Sequence, residues 1–272
     1  MSKKKVLIVT QEMNPYTTLS TISETVHNLA PHLHGGKTEV RVLMPRFGTI
    51  NERRHRLHEV VRLSGMNIIV DDDDYPLIIK VASLPTVRMQ VYFLDNEDFF
   101  KRKLIFDDAS GKPFDDNAER AVFFCKGVIE TVKKFGWPPD IIHTHGWMTS
   151  LIPFYLRTTY QNEPLFQKAK VVYSLYETAH ETQLGEQFVK KASINNLSSD
   201  DLDAFFEDGK LAVHKGAISY ADAIVKGTED ISPTYSALLS AADKPILDIQ
   251  GDEITAAIAE FYDSLLAEEV EQ

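Results

Sequence analysis

The opening of the chain most constrains the fold, because it reads as a strand, a helix and a second strand. KVLIVT at 5–10 is a short apolar run, as in strands buried on both faces. EVRVLM at 39–44 is a second such run. Between them, over 18–33, apolar residues recur at helical spacing, namely Leu19, Ile22, Val26, Leu29 and Leu33, with Thr21 and Glu24 spaced as a capping box. A β-α-β opening predicts a parallel sheet.

The rest of the chain alternates in the same way, except for a β-rich stretch. Residues 57–94 carry closely spaced strand-like segments, which predict a mostly antiparallel insertion at about 55–95 or a β-meander ending in a core strand. Helices are predicted at 116–135, 147–159, 230–241 and 252–267, with one or two more within 201–220, and strands at 141–144, 171–175 and, as the last one, 223–227. We therefore predict an α/β protein: a single Rossmann-like doubly wound parallel sheet over 1–250, followed by an amphipathic helix and acidic tail at 251–272.

Composition narrows the classes of partner. The 29 Lys and Arg against 40 Asp and Glu give a net charge of −11, which argues against nucleic acid. Cys125 is the single cysteine, so an intrachain disulfide and a cysteine-based zinc site are excluded, and its place on a helical apolar face predicts a packing role. No run of 18 apolar residues occurs, and we expect a cytoplasmic protein with no membrane partner.

Four adjacent aspartates at 71–74 predict a solvated turn; a divalent cation site is the alternative. The segments to inspect for function are those that follow the strands, because ligands of doubly wound sheets bind beyond the carboxyl ends of the strands. These segments are QEMNPYTTLSTISETV after the first strand, HTHGW at 143–147, and YE at 176–177. DNAERAVFF at 116–124 opens the longest predicted helix.

In this order, the segments resemble the N-terminal catalytic domain of bacterial glycogen synthases and plant starch synthases, glycosyltransferase family 5, from about residue 4 to about residue 236. The resemblance implies the first of the two Rossmann-like halves of a GT-B glycosyltransferase. It also implies retaining transfer of glucose from ADP-glucose to an α-1,4-glucan, with no cofactor and no metal. In the family, the second domain supplies an arginine and a lysine for the diphosphate.

The opening loop departs from the family pattern S-E-x-x-P-x-x-K-T-G-G-L. Glu12 and Pro15 match, but the family's lysine falls on Thr18 and its two glycines on Ser20 and Thr21. In the family, that lysine and those glycines approach the nucleotide diphosphate and the transferred glucose. The resemblance therefore implies a weakened phosphate site, in which the N-terminus of the following helix can still attract an anion.

HTHGW resembles the family's H-x-H-D-W-H and keeps His143, His145 and Trp147. Three interpretations of the histidines remain open. They are hydrogen-bonded at a strand end, they line a pocket, or they bind a metal together with His180 or Glu181.

Two further segments supply polar candidates. Tyr176 stands where the family has a sugar-contacting histidine, and Glu177 follows it. DNAERAVFF fits D-N-x-x-R-F-A-x-F, so either Asn117 and Arg120 contact a ligand, or Asp115 or Asp116 caps the helix and Arg120 lies in a surface ion pair. The predicted ligand-binding residues are Glu12, Tyr16, Thr18, Asn117, Arg120, His145, Trp147, Tyr176 and Glu177; no catalytic residue is assigned.

Three functions follow from the resemblance and its departures. The first is a catalytically impaired relative that binds α-glucan or a nucleotide sugar such as ADP-glucose, or that regulates a partner. The second is an ADP-glucose-dependent glucosyltransferase that is active only with a partner chain. The third is an assembly module, in which the helix at 252–267 covers a surface of the domain or contacts a protein partner or a second copy.

Overall fold

The computed structural model describes residues 3–84, 87–177, 184, 187–249 and 251–267. The strands are β1 (Lys4–Thr10), β2 (Thr38–Pro45), β3 (His58–Glu59), β4 (Met66–Val70), β5 (Asp73–Leu84), β6 (Met89–Asp95), β7 (Ile141–His145), β8 (Lys170–Leu175), β9 (Phe206–Glu207), β10 (Lys210–Leu211), β11 (Ala223–Lys226) and β12 (Ile246–Leu247). The helices are α1 (Ile22–Leu33), α2 (Glu52–His55), α3 (Glu97–Phe100), α4 (Asn117–Phe135), α5 (Leu151–Arg157), α6 (Phe188–Ala192), α7 (Val213–Tyr220), α8 (Pro233–Ala241) and α9 (Ile254–Ala267), with 3-10 turns at 147–149, 199–205 and 251–253.

A ten-stranded sheet organises the described part of the chain, in the order β12-β11-β8-β7-β1-β2-β6-β5-β3, with β4 paired to β5, and β9 and β10 form a separate hairpin. All pairings from β12 to β6 are parallel, and β5 joins β6 in antiparallel fashion. The predicted α/β class and parallel sheet are confirmed. The β-rich stretch is a meander ending in a core strand, because β6 pairs with β2.

Helix α1 begins at Ile22, four residues after the predicted start. The residues before it turn around the carboxylate of Glu12, which accepts hydrogen bonds from the backbone of Leu19 and Ser20. Thr21, at the helix start, makes no capping hydrogen bond through its side chain, so the predicted capping box was wrong. The Ser20 hydroxyl accepts from the amide of Ile22 at 3.2 Å in its place.

Two other sequence predictions need correction. β11 is not the last strand, since β12 follows and is only two residues long, too short to leave a pattern in the sequence. The aspartate run is a turn only at 71–72, because 73–74 open β5. Asp71 contacts Lys190 at 2.8 Å and Lys191 at 3.1 Å, and these hydrogen bonds hold the pKa of its carboxyl below the usual value.

Both faces of the central strands are covered, since the five consecutive residues 6–10 of β1 are all buried. Cys125 lies fully buried in α4, and burial raises the pKa of its thiol, in keeping with a packing role. Helix α9 packs against α1 and buries Ile258, Tyr262 and Leu265. Among the described helices, none combines the length and apolarity needed to cross a bilayer.

Candidate functional site

A cavity of about 680 Å³ opens at the carboxyl edge of the sheet. Its walls are the loop after β1, the irregular segment between α3 and α4, and the residue pair after β8. Its volume lies in the range typical of small-molecule sites, and its place is where a doubly wound sheet binds ligands. It is lined by Gln11, Glu12, Leu19, Ser20, Thr49, Lys103, Leu104, Ile105, Phe106, Asp107, Asp108, Gly111 and Glu177.

A second cavity, of about 690 Å³, lies between the β9–β10 hairpin, α7 and α8. None of the predicted site residues lines it. We take the cavity at the sheet edge as the candidate site, because the sequence predictions and the rule for parallel sheets both point there.

Glu12 organises one wall of this edge cavity. Its side chain is fully buried, and Oε2 accepts hydrogen bonds from the amides of Leu19 at 2.6 Å and Ser20 at 2.8 Å. Oε1 accepts from the Ser20 hydroxyl at 2.6 Å. Backbone amides that precede a helix are the donors that a phosphate uses. Here they are already bonded to a carboxylate of the same chain.

The charges around the edge cavity are mostly negative. Glu12, Asp107, Asp108 and Glu177 bring four carboxylates, whereas Lys103 brings one ammonium group. Four negative charges and one positive charge leave a formal excess of three negative charges. The lining therefore favours a neutral ligand rich in hydroxyl groups over an anion.

The mouth of the edge cavity is apolar. Leu19 and Leu104 are among the few large apolar side chains exposed to solvent, at 46% and 45%, and both line the cavity. Phe106 lies deeper and is buried. Aliphatic surface beside carboxylates suits a ligand that has both an apolar face and hydroxyl groups.

Two predicted residues of the opening loop lie outside the lining of the edge cavity. Tyr16 is buried edge-on against Phe93 and His55, with ring centres 4.9 and 5.0 Å away, and burial raises its pKa to about 12. Thr18 is exposed, and its hydroxyl bonds to the side chain of Asn14. Of the nine predicted ligand-binding residues, Glu12 and Glu177 line the edge cavity.

Asn117 and Arg120 lie one layer behind the cavity wall. Nδ2 of Asn117 donates to the carbonyl of Phe106 at 2.9 Å, and Nη1 of Arg120 donates to the carbonyl of Ile105 at 2.5 Å. Arg120 is only 1% exposed, so the predicted surface ion pair was wrong. Burial lowers the pKa of its guanidinium to about 9.

The two histidines of HTHGW form a buried polar chain. Nδ1 of His143 lies 2.5 Å from the hydroxyl of Tyr262, and Nε2 lies 2.7 Å from the hydroxyl of Ser174. Nδ1 of His145 lies 3.1 Å from the hydroxyl of Tyr176. Burial lowers the pKa of His145 to about 3 and that of His143 well below its usual value. This geometry agrees with the hydrogen-bonded interpretation and keeps both rings neutral.

The metal interpretation gains no support from the described residues, which contain no group of three His, Cys, Asp or Glu side chains placed to hold an ion. His180 and Glu181, the proposed third ligands, lie outside the described part of the chain. Trp147 is buried, with its ring centre 5.0 Å from that of Phe106, so it too supports the cavity wall from behind.

Sequence reasoning missed the segment that forms much of the cavity wall. Lys103, Leu104 and Asp107 belong to an irregular stretch without helical or strand periodicity. The one available signal is FDDASG at 106–111, which reads as a turn. That pattern does not reveal that the stretch folds back onto the loop after β1.

Comparison with known proteins agrees with this architecture. The family model described as starch synthase catalytic domain matches residues 5–240. Glycogen synthase of Chlorobaculum tepidum is 35% identical over 264 residues, which are 96% of this chain and 52% of that protein. Glycogen synthase of Chlorobaculum parvum is 33% identical over 234 residues, covering 85% of this chain and 46% of its own. The chain thus spans about half the length of these curated relatives.

A solved structure gives the same picture of the fold. The catalytic domain of Starch Synthase IV from Arabidopsis thaliana, bound to ADP and acarbose, superimposes with a TM-score of 0.69. The superposition covers 97% of this chain and 50% of the plant chain. Sequence identity is 18%, so this likeness concerns the fold alone.

Proposed function

Because the chain belongs to the starch synthase catalytic domain family, we propose that its edge cavity binds an α-glucan and that the chain alone transfers glucose weakly or not at all. Relatives named glycogen synthase motivate the glucan as ligand. The starch synthase IV domain is bound to ADP and acarbose, which supplies two probes for this chain.

The observation that carries the proposal is the charge of the cavity lining, with four carboxylates against Lys103. An additional negative charge about 4 Å from a carboxylate is repelled by about 1 kcal/mol in bulk water and about 4 kcal/mol near a protein surface. Each negative charge of a nucleoside diphosphate that lies close to these carboxylates is repelled in this way. A glucan is neutral, its hydroxyl groups donate to carboxylates, and its apolar faces suit Leu19 and Leu104.

Weak transfer follows from the opening loop. The position of the family's lysine holds Thr18, which carries no charge, and the amides of Leu19 and Ser20 already bind Glu12. A transferred glucose leaves behind a diphosphate whose charge must be stabilised. Loss of one preorganised stabilising group costs about 3–4 kcal/mol, or about two to three powers of ten in rate.

The proposal is tested by calorimetry and thermal shift with maltoheptaose, acarbose, ADP and ADP-glucose. We expect maltoheptaose and acarbose to raise the midpoint of unfolding, and the two nucleotides to leave it unchanged. L19S, which removes one leucine of the cavity mouth, should weaken glucan binding by about three- to tenfold, since Leu19 is 46% exposed and covering that part recovers about half of the 1.5–3 kcal/mol that full burial contributes. V61S is the matched control, because Val61 is 78% exposed and lies outside the cavity lining.

Three results would overturn the proposal. Binding of ADP or ADP-glucose at least as tight as that of maltoheptaose would contradict the charge argument. Incorporation of labelled glucose from ADP-glucose into glycogen by the purified chain at a rate within tenfold of that of a full-length glycogen synthase would contradict the expected loss of about two to three powers of ten. Binding of none of the four compounds, together with self-association in light scattering, would favour an assembly module.

A further inference from the structure

We infer that Asn117 and Arg120 are positioning residues, which fix the shape of the edge cavity by holding the backbone of its wall. The wall segment is residues 103–108. The use of an α-glucan as the test ligand rests on the proposed function. The expected change in the wall after substitution of these residues does not depend on the identity of the ligand. Neither residue lines the cavity, so each acts on a ligand only through the wall segment.

The hydrogen bonds join consecutive carbonyls of the wall segment to one turn of α4. Nδ2 of Asn117 donates to the carbonyl of Phe106 at 2.9 Å, and Nη1 of Arg120 donates to the carbonyl of Ile105 at 2.5 Å. Nη1 of Arg120 also donates to Oδ1 of Asn117 at 2.7 Å. The two side chains therefore form one unit, in which each orients the other against the wall.

The wall segment is also held at its two ends, and at the second of them the amide of Asp108 donates to the carbonyl of Lys112 at 2.8 Å. It lies between α3 and α4 without regular secondary structure of its own. The ammonium group of Lys103 donates to the carbonyl of Gly48 at 2.6 Å, near the start of the segment, and the amide of Phe114 donates to the carbonyl of Phe106 at 2.9 Å. Asn117 and Arg120 add the two side-chain hydrogen bonds that tie the carbonyls of Ile105 and Phe106 directly to α4.

The surroundings of Arg120 point to positioning as its role. Its Nε and Nη2 atoms are buried and have no hydrogen-bond partner, and no ion pair involves it among the described residues. Replacement of buried charged groups by apolar residues is often neutral or stabilising, so packing alone does not require a guanidinium here. Its carbon Cζ lies 5.5–6.0 Å from the ring centres of Phe47, Phe100, Phe106 and Phe114.

The wall carries a spectroscopic reporter. The ring of Phe106 lies against Trp147, and Trp147 is one of two tryptophans in the chain. Replacement of the other tryptophan in W137F leaves Trp147 as the only indole. Loosening of the wall segment admits a quencher to Trp147 whether or not a glucan is bound.

The decisive variant is N117D, which keeps the size of the side chain. A carboxylate cannot donate to the carbonyl of Phe106, so that bond is lost and the wall loosens. The same carboxylate gives Arg120 the ion-pair partner it lacks, so stability does not fall. We expect the dissociation constant for maltoheptaose to rise about tenfold, the size of one lost hydrogen bond at the wall. The urea midpoint should stay equal or rise, and acrylamide quenching of Trp147 in the W137F background should increase.

N67D is the matched control, because Asn67 in β4 is exposed, and all three measurements should stay unchanged. R120K retains the positive charge but replaces the rigid, planar guanidinium, whose Nη1 donates to both Ile105 and Asn117, with an ammonium group on a flexible chain. It should also raise the quenching and the dissociation constant, and it serves as the second variant if N117D does not fold.

The inference and the proposed function fail in different ways. If the wild-type chain binds no glucan but N117D still exposes Trp147, the glucan assignment falls and the positioning role stands. If both chains bind maltoheptaose equally and quenching is unchanged, the positioning role is refuted. Parallel losses of affinity and stability in N117D would mark Asn117 as a general stability residue and would also refute it.

Discussion

The loop around Glu12 offers a quantitative test of how this sequence builds its site. The variant E12A removes a buried carboxylate that accepts three hydrogen bonds, from the amides of Leu19 and Ser20 and from the Ser20 hydroxyl. Hydrogen bonds to a charged group contribute about 1.5–3 kcal/mol each. Leu19 and Ser20 are partly accessible to solvent, so water replaces some of what is lost. We therefore expect the free energy of unfolding to fall by about 2–4 kcal/mol.

The assay is urea denaturation followed by far-UV circular dichroism. E24A is the matched control, because Glu24 is an exposed carboxylate in the first turn of α1. Its loss should cost at most about 1 kcal/mol through the helix dipole. A cost for E12A below about 1 kcal/mol, or equal to that of E24A, would refute the reasoning that Glu12 holds the loop.

Two further predictions concern buried groups. Because burial lowers the pKa of His145 to about 3 and that of His143 well below 6.5, the unfolded chain binds protons below pH 6.5 that the native chain does not. Stability should thus be complete above pH 6.5 and should fall on acidification by about 1.4 kcal/mol per pH unit for each histidine. Urea midpoints measured from pH 7.5 to 5 report this loss of stability. H145N should make the midpoint less dependent on pH, whereas H58N, at an exposed site, should leave the dependence unchanged. A wild-type midpoint that does not change with pH would contradict the burial argument. The Cys125 thiol, buried and with a raised pKa, should resist Ellman's reagent at pH 8 in the native chain and react fully in guanidinium; fast native reaction would show that the core opens there.

The sequence predicted those parts of the fold that have regular periodicity. The apolar runs of β1, β2, β7 and β8 and the broad apolar face of α4 were each placed within one or two residues. These elements are buried, so the spacing of their apolar residues directly reflects which residues pack in the core.

The start of α1 and the cavity wall depend on hydrogen bonds between residues far apart in the chain, which periodicity does not report. Glu12 was predicted as a ligand residue and also fixes where α1 begins, through bonds to residues seven and eight positions later. Asn117 and Arg120 were placed in a ligand site or at a helix start; Asn117 does open α4, and the two side chains bond to carbonyls 11 and 15 residues earlier. The family resemblance was enough to place these residues near the site. The structure is needed to tell residues that line the cavity from residues that hold its wall from behind.

The docking of α9 has a consequence for the order of events during synthesis. The hydroxyl of Tyr262 contacts His143, 119 residues earlier, and Asp263 lies 2.6 Å from Lys4, 259 residues earlier. A ribosome adds about 5–20 residues each second. Many seconds therefore pass between the synthesis of β1 and β7 and the synthesis of the α9 residues that contact them. A nascent chain that ends before α9 therefore leaves an imidazole nitrogen unpaired and the apolar surface for Ile258 and Leu265 uncovered. Resistance of the emerging chain to protease should appear only once this helix has left the exit tunnel.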